Sequence, residues 1–461
     1  MFAFIQPGSP TALAVLVACL VLVLAFEFSN GFHDTANAVA TVIYTNSLKP
    51  LVAVVWSGTM NFLGVILGGI AVAYALVQIM PPDILAPPNG NPAVAMLVAL
   101  FATSLLWNVG TWALGIPNSS SHALIGSLVG VSIGHVLRNG KSLGEGVDWQ
   151  QIWKVLESLL LSPILGFILA AALYRLLRAL VHDKHLYEPP EGKKPPVWWM
   201  RGLLVLTCGG VSFAHGTNDG QKSIGLIMLT IIGLAPAAFA VNQTLSGEGL
   251  HHIVDDLRAV QPLIEKNGNG EKAKALEAAK NAQRRLQGVQ GMADVAEDAR
   301  PALRNDMNQI LSEVKAIAQG QGTKASEADQ KKAEQFQKSL TTVINYAPWW
   351  VRIVSALCLG LGTMVGYKRI VRTLGERIGK SHLAPAQGGS AELVSAGLIS
   401  FAGFSGLPVS TTHVVTSGIA GTMVGSGSGV QMGTVWQIAA AWILTLPVTI
   451  LVSAGLFYLL S

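Results

Sequence analysis

Long apolar runs almost free of charge recur along the chain, at residues 11–26, 51–79, 93–116, 200–214 and 434–460. A run of about 18–20 apolar residues reaches across the ~30 Å hydrocarbon layer of a bilayer as a helix. Inside that layer every backbone N–H and C=O must be satisfied by the protein itself, which leaves helices or closed barrels. Continuous runs, rather than alternating apolar and polar residues, select helices. Only 12% of the 461 residues are charged, about half the fraction of a soluble domain. Several such runs leave one class open, an all-α polytopic membrane protein. Run 11–26 is read as retained rather than as a cleaved leader, because no Lys or Arg precedes it. Cys19, Cys208 and Cys358 are dispersed in apolar segments and make no disulfide framework or C-x-x-C pair.

One stretch departs from this pattern. Residues 243–346 hold 28 of the 57 Asp, Glu, Lys and Arg residues, 14 of each sign. Leu303, Met307, Ile310, Leu311, Val314 and Ile317 repeat at helical spacing, and Ser326 with Asp329 resembles a capping box. This segment is expected to be a soluble helical insertion with a structural or partner-docking role.

The remainder is duplicated. Phe28-Ser-Asn-Gly31-Phe-His-Asp34-Thr-Ala-Asn37 aligns with Phe213-Ala-His-Gly216-Thr-Asn-Asp219-Gly-Gln-Lys222 at an offset of 185. Gly115-Ile-Pro117-Asn-Ser119-Ser-Ser-His122 aligns with Gly406-Leu-Pro408-Val-Ser410-Thr-Thr-His413 at an offset of 291. The two offsets differ by 106, close to the length of the insertion between them. Pro163 and Tyr174 likewise echo Pro447 and Tyr458.

Orientation follows the basic residues of short loops. Arg175, Arg178, Lys184, Lys193, Lys194 and Arg201 in 175–201, and Lys368, Arg369, Arg372, Arg377 and Lys380 in 366–390, place both loops in the cytoplasm. Segment 80–92 has no basic residue and belongs outside. Spans are expected at 11–45 (broken), 51–79, 93–114, 119–137 and 152–174, then at 200–241 (broken), 348–366, 391–405, 411–426 and 434–459. Spans 119–137 and 411–426 are short and Gly-rich, and either cross fully or re-enter. Five spans per half invert one half relative to the other, with both termini and the insertion outside. The expected organisation is a first membrane repeat (1–178), a basic cytoplasmic linker (179–199), a second repeat in two parts (200–242 and 347–461) and the insertion (243–346).

The duplicated motifs carry the chemistry. Asp34 and Asp219 lie in apolar segments, and a carboxylate at membrane depth costs roughly 2.5–3.5 kcal/mol on insertion scales unless it is paired or hydrated. Gly31 and Gly216, on the preceding turn, are expected to let each helix unwind and free carbonyls for a cation. Pro117 and Pro408 stop one helix, and Ser119 or Ser410 caps the next. The following hydroxyls, Ser120 and Ser121 or Thr411 and Thr412, join the free amides of the helix start in an anion receptor without fixed charge. Two such receptors in inverted halves would face one another near the midplane and suit a tetrahedral oxyanion. His122 and His413 follow the caps and are read as donors to backbone. Lys222 lies three residues after Asp219 on the same helical face, where its ammonium would neutralise that acid and attract an anion.

These residues resemble the inorganic phosphate transporter (Pit) family over nearly the whole chain. The family signature Gly-Ala-Asn-Asp-Val-Ala-Asn-Ala has its counterparts at Gly31–Ala38 and Gly216–Lys222. The resemblance implies an inverted-repeat carrier with broken or re-entrant helices. Phosphate is expected at Ser119, Ser120, Ser121, Ser410, Thr411, Thr412 and Lys222, and the coupling cation or proton at His33, Asp34, Asn37, Asn218 and Asp219. His33 and Lys222 replace asparagines of the sodium-coupled pattern, and an ammonium repels sodium. The chain therefore resembles the bacterial proton-coupled branch, which carries phosphate largely as a neutral divalent-metal complex across the inner membrane. His33 beside Asp34 offers an imidazole, the side-chain type that titrates near neutral pH; Asp219 is the rival. The expected partners are inorganic phosphate, protons, divalent metal ions as co-substrate and the lipid bilayer. A homodimer is compatible with the sequence. No cofactor, resident metal or nucleic acid is expected.

Other readings are a sodium-coupled phosphate symporter and a carrier of sulfate or arsenate, which hydroxyl receptors do not distinguish. A membrane-embedded metal-dependent hydrolase lacks any compact ligand spacing such as H-E-x-x-H. A divalent-cation channel is opposed by Lys222. The orientation is checked by labelling. In a background without native cysteines, a cysteine near Ala325 is expected to react with an impermeant maleimide from outside and one near Lys193 to be protected. The reverse pattern would overturn the assigned topology.

Overall fold

The computed structural model describes residues 9–80, 94–143, 147–190, 192, 194–320, 325–367, 370–371 and 373–461. The expected outside loop beyond Met80, and Lys193, Lys368, Arg369 and Arg372 of the basic loops, lie outside the described residues. Among those described there is no β-strand, only the isolated bridges Ser246–Gly291 and Gly379–Val430. The helices divide between two units, one built from Met1–Ile84, Ala93–Thr230 and Pro348–Ser461 as far as these are described, the other from Ile231–Ala347.

The first unit begins with α1 (Pro10–Tyr44), α2 (Pro50–Leu67), α3 (Ala71–Val77), α4 (Val94–Ala113), α5 (Ser120–Arg138), α6 (Trp149–Leu180) and α7 (Trp198–Leu234). Among the described residues, α1, α2, α4, α5, α6 and a last helix at Met432–Leu460 are long and apolar enough to cross a membrane. The other four expected spans fall short for physical reasons. In α7 the polar motif His215–Lys222 sits at the centre. The helix Pro385–Phe404 is rich in Gly, Ala and Ser around a buried Glu392, and the helices Trp349–Thr363 and Thr411–Ser426 have only 15 and 16 residues.

The outer face of α6 exposes Leu160, Ile164 and Ile168, and Trp153, Trp198, Trp349 and Trp436 are exposed near helix starts. Such a face suits lipid tails, and Trp prefers the interface. Its interior is polar, so close backbone approach and interhelical hydrogen bonds must hold it together.

The motif helices correct one expectation. Both α1 and α7 run unbroken through Gly31 and Gly216, α1 for 35 residues and α7 for 37. The glycines are packing points instead. A Cβ at Gly31 would stand 2.5 Å from the carbonyl oxygen of Leu359, and one at Gly216 would collide with that of Asn61. Interruptions fall elsewhere, at Gly68–Ile70 and at the turns 115–119 and 406–410. At the first, Arg352 donates to the freed carbonyl of Gly68 at 2.8 Å, and the Gln221 side chain accepts from Val72 N at 2.9 Å. Partners from other helices thus satisfy the open backbone, as a low-dielectric layer requires.

The second unit holds α8 (Glu248–Asn267), α9 (Lys272–Leu286), α10 (Arg300–Ala318) and α11 (Glu327–Ile344). Leu303, Met307, Ile310, Val314 and Ile317 are fully buried in its core, with Leu311 packed at the edge. Ser326 caps α11 by accepting from Asp329 N at 3.2 Å, but the Asp329 carboxylate accepts from the Ser326 hydroxyl at 2.9 Å rather than from its backbone. Arg304 donates to Ala240 O at 2.8 Å and to Ile344 O at 2.9 Å, tying together the two ends of this unit.

The chain returns to the first unit with α12 (Trp349–Thr363), α13 (Pro385–Phe404), α14 (Thr411–Ser426) and α15 (Met432–Leu460). The duplicated halves exchange partners. Helix α1 packs on α12 through Gly31 and Gly362, while α7 packs on α2 through Gly216 and Gly64. Likewise α5 packs on α15 at Gly130, and α14 on α6 at Gly421. Pro163 and Pro447 occupy the interiors of α6 and α15. Because overpacking costs roughly 1–3 kcal/mol, Gly31→Ala and Gly216→Ala are each expected to lower thermal stability in detergent. Gly455→Ala, with nothing within 4 Å of its added Cβ, is expected to be neutral. Unchanged stability of the first two variants would refute the packing role.

Candidate functional site

Helical spacing explains why the motif side chains converge. Asn30 and Asp34 on α1, and His215, Asp219 and Lys222 on α7, stand three or four residues apart along one face of each helix. The starts of α5 and α14 complete the site. Ser119 accepts from His122 N at 3.1 Å and Ser410 from His413 N at 3.2 Å, so both serve as the expected caps. The hydroxyls that follow point inward.

Asp34 is the common acceptor. Its Oδ2 receives Ser120 Oγ at 3.3 Å and Thr411 Oγ1 at 3.2 Å, one hydroxyl from each duplicated turn. Its Oδ1 receives Thr412 Oγ1 at 2.5 Å and Asn37 Nδ2 at 3.4 Å, and lies 3.4 Å from His33 Nδ1. Asn37 also donates to Thr412 at 3.0 Å. The other ring nitrogen of His33 meets Thr111 at 3.4 Å. Asp34, Asp219, Lys222 and His33 are all buried.

Asp219 and Lys222 form the neutral pair expected from their spacing, with Lys222 Nζ donating to Asp219 Oδ1 at 2.6 Å. The ammonium also donates to Ser121 Oγ at 2.5 Å and to the Val409 carbonyl at 2.9 Å. All three of its protons are thereby used, with one bond reaching each duplicated turn.

Two participants were not foreseen. His215 donates through Nδ1 to Asn61 Oδ1 at 2.8 Å, and its Nε2 lies 3.4 Å from Asp34 and 3.5 Å from Asp219. That nitrogen is within ion-pair reach of both carboxylates but aligned for a hydrogen bond with neither. Asn30 accepts from Ser120 at 2.5 Å and reaches toward Asp219 at 3.5 Å. The duplicated motif did contain the signal, because the offset of 185 pairs Asn30 with His215, each four residues before its aspartate.

Some expectations are redistributed. Asn218 is turned away from the carboxylates and braces the turn 407–409, donating to Leu407 O at 3.1 Å and accepting from Val409 N at 3.5 Å. His122 and His413 do not serve backbone acceptors with their rings. His122 Nδ1 meets Ser119 Oγ at 2.8 Å, and His413 lies 4.4 Å from the His122 ring and stacks on Trp442 at 3.8 Å. The anion and cation residues, treated as separate sets in sequence, are one hydrogen-bonded cluster. One ligand atom each from Asp34, His215 and Asp219 lies within 4.8 Å of the others, a spacing that could hold a cation. Lys222 already supplies the neutralising charge to Asp219, so no metal ligation is assigned to them.

Apolar helices around a buried polar centre define a multi-pass helical membrane protein, and the comparisons show which kind. The phosphate transporter family matches residues 30–453. The chain is 39% identical to the low-affinity inorganic phosphate transporter PitA of Escherichia coli K12 and 37% identical to PitB of the same strain, each over 97% of both chains. A solved structure described as the sodium-dependent phosphate transporter matches over 97% of this chain and 99% of its own, at a TM-score of 0.55 and 18% identity, which shows a shared fold. The chain belongs to the phosphate transporter family, and it is a transporter rather than an enzyme.

Breaking the buried pair tests the cluster. Lys222→Gln leaves Asp219 uncompensated, at an expected loss of roughly 3–5 kcal/mol. The double change Asp219→Asn with Lys222→Gln is expected to recover much of it, measured by thermal unfolding in detergent. Additive losses in the double variant would show that the two groups are not paired.

Proposed function

We propose that the protein is a secondary active importer of inorganic phosphate, carried as a divalent-metal complex and coupled to protons. It works by alternating access around the Asp34–Lys222 cluster, in a bacterial inner membrane, with its termini and insertion outside and its two halves related by inverted topology. The observation that carries this reading is the meeting of Ser120 and Thr411 on a single oxyanion, Asp34 Oδ2. Two hydroxyls from opposed helix starts surround the place where a tetrahedral anion would sit, and a carboxylate oxygen occupies it in this state. The exchange of packing partners between the halves supports the inverted arrangement. The names of the similar transporters support the cargo.

Electrostatics then dictates how transport is coupled. Phosphate must compete with Asp34 for Ser120, Thr411 and Thr412, and two anions repel strongly in a low-dielectric interior. A cation has to arrive with the phosphate to remove that conflict. A metal bound to phosphate supplies one positive contribution and a proton another, while Lys222 stays fixed beside Asp219. Sodium is the less suitable partner, because the ammonium occupies the second copy of the motif.

Uptake of labelled phosphate into sodium-free proteoliposomes tests the reading. An acid-outside pH gradient is expected to drive accumulation, with added divalent metal ions raising the rate. Ser120→Ala and Thr411→Ala each remove a hydrogen bond to a charged group, worth about 1.5–3 kcal/mol, or roughly 10- to 150-fold in apparent affinity. Strict sodium dependence would refute the coupling, and unchanged affinity in both alanine variants would refute the binding site. Stronger uptake of sulfate than of phosphate would refute the cargo.

A further inference from the structure

Glu27 lies on α1 three residues before Asn30 and seven before Asp34, along the face that carries both. It is fully buried, at 0% exposure. Asp34 and Asp219 are surrounded by donors, whereas both carboxylate oxygens of Glu27 lack a hydrogen-bond partner among the described residues. Ser223 and Asn30 are the polar side chains that flank it. Ser223 shares its hydroxyl with Gly220 O and Ser355, and Asn30 is engaged by Ser120 and Asp219.

Complete burial makes an anion there costly. On α7 the groups acting on Glu27 are Asp219 and His215, and on α12 Cys358 stands within electrostatic reach. Helices α2 and α4 bring no titratable side chain. Arg352 of α12 is spent on Gly68 O, and Lys222 on Asp219, Ser121 and Val409. An unpaired carboxylate in such a place costs several kcal/mol, and the neutral acid avoids that cost by holding one proton.

We propose that Glu27 is the proton-binding site of the transport cycle. A proton from the outer solution forms one O–H bond at the carboxylate while the cluster is open to that side. It crosses as the neutral acid through the closed state and is released to water on the cytoplasmic side. Coupling follows from position. An ionised Glu27 would compete for the amide of Asn30 and for His215, and Asn30 is the acceptor that holds Ser120 beside Asp34. Closure over the substrate donors is therefore favoured only with the proton in place. His33, the imidazole suggested by the sequence, is already in contact with Asp34 and Thr111 through its two ring nitrogens.

This inference rests on the proton-coupled reading above, and the test separates the two. Wild type and Glu27→Gln, a permanently neutral mimic, are reconstituted in sodium-free proteoliposomes. Each is assayed for pH-gradient-driven accumulation of phosphate with magnesium, and for exchange of labelled phosphate without any gradient between pH 6 and pH 9. Exchange reports a folded, cycling carrier. The expected result is at least about tenfold loss of gradient-driven accumulation with retained exchange, and loss of the alkaline fall in exchange expected of wild type. Wild type that ignores the gradient removes proton coupling and this assignment together. Wild type and Glu27→Gln that respond equally overturn the assignment alone. If Glu27→Gln is inactive in both assays, Glu27→Asp decides. Its titratable group is expected to keep gradient-driven accumulation, and exchange without accumulation in that variant overturns the proposal.

Discussion

A carboxylate inside a lipid-embedded protein cannot be left to solvent, and Asp34 shows what that demands. Its two oxygens gather hydroxyls from Ser120, Thr411 and Thr412, with Asn37, His33 and His215 close by. These groups come from α1, α5, α7 and α14, so satisfying one acid requires both halves of the duplicated chain to meet. Asp219 is answered differently, by the ammonium of Lys222 on the same helix. The pair is neutral as a unit, while the Asp34 centre depends on oriented dipoles. A substrate anion can displace dipolar donors more readily than it can break a neutralising ion pair. On the function proposed above, that difference makes the Asp34 side of the cluster the exchangeable side.

Delivering those donors needs helices packed closer than side chains ordinarily allow. Gly31 lies against the backbone of α12 and Gly216 against that of α2, and the same close approach recurs at Gly130 and Gly421. In lipid the apolar side chains gain little by leaving the tails for one another, so backbone proximity and interhelical hydrogen bonds carry more of the association. The Ser57–Ser212 and Ser104–Ser127 contacts, at 2.8 Å and 3.0 Å, are of this kind. The exchange of packing partners means that neither half can form its portion of the site alone.

Much of this was legible in the amino-acid order. The apolar runs, the charged insertion and the capping roles of Ser119 and Ser410 follow from local chemistry acting over a few residues. The partnership of Asp219 with Lys222 follows from helical spacing. The unwinding expected at Gly31 and Gly216 did not materialise, because a glycine in a membrane helix can serve either a bend or a close contact. Only the neighbouring backbone, Leu359 or Asn61, distinguishes the two uses. Asn218 was read as a site residue for its place in the motif, yet helical rotation turns it to the backbone of Leu407 and Val409.

The sequence by itself determined the class of protein, the duplication and the residue types available at the centre, since these depend on hydrophobicity, order and local spacing. The tertiary structure alone decided which of those polar groups meet. Ser120 and Thr411 are 291 residues apart in sequence and share one carboxylate oxygen. Glu27, an ordinary acid when read along the chain, is left without a hydrogen-bond partner among the described residues, because its neighbours spend their hydrogen bonds on one another. The physical reason is that satisfaction of a buried polar group is a property of everything within about 3.5 Å of it. That neighbourhood is set by helix packing between distant segments, and no local pattern in the sequence specifies it.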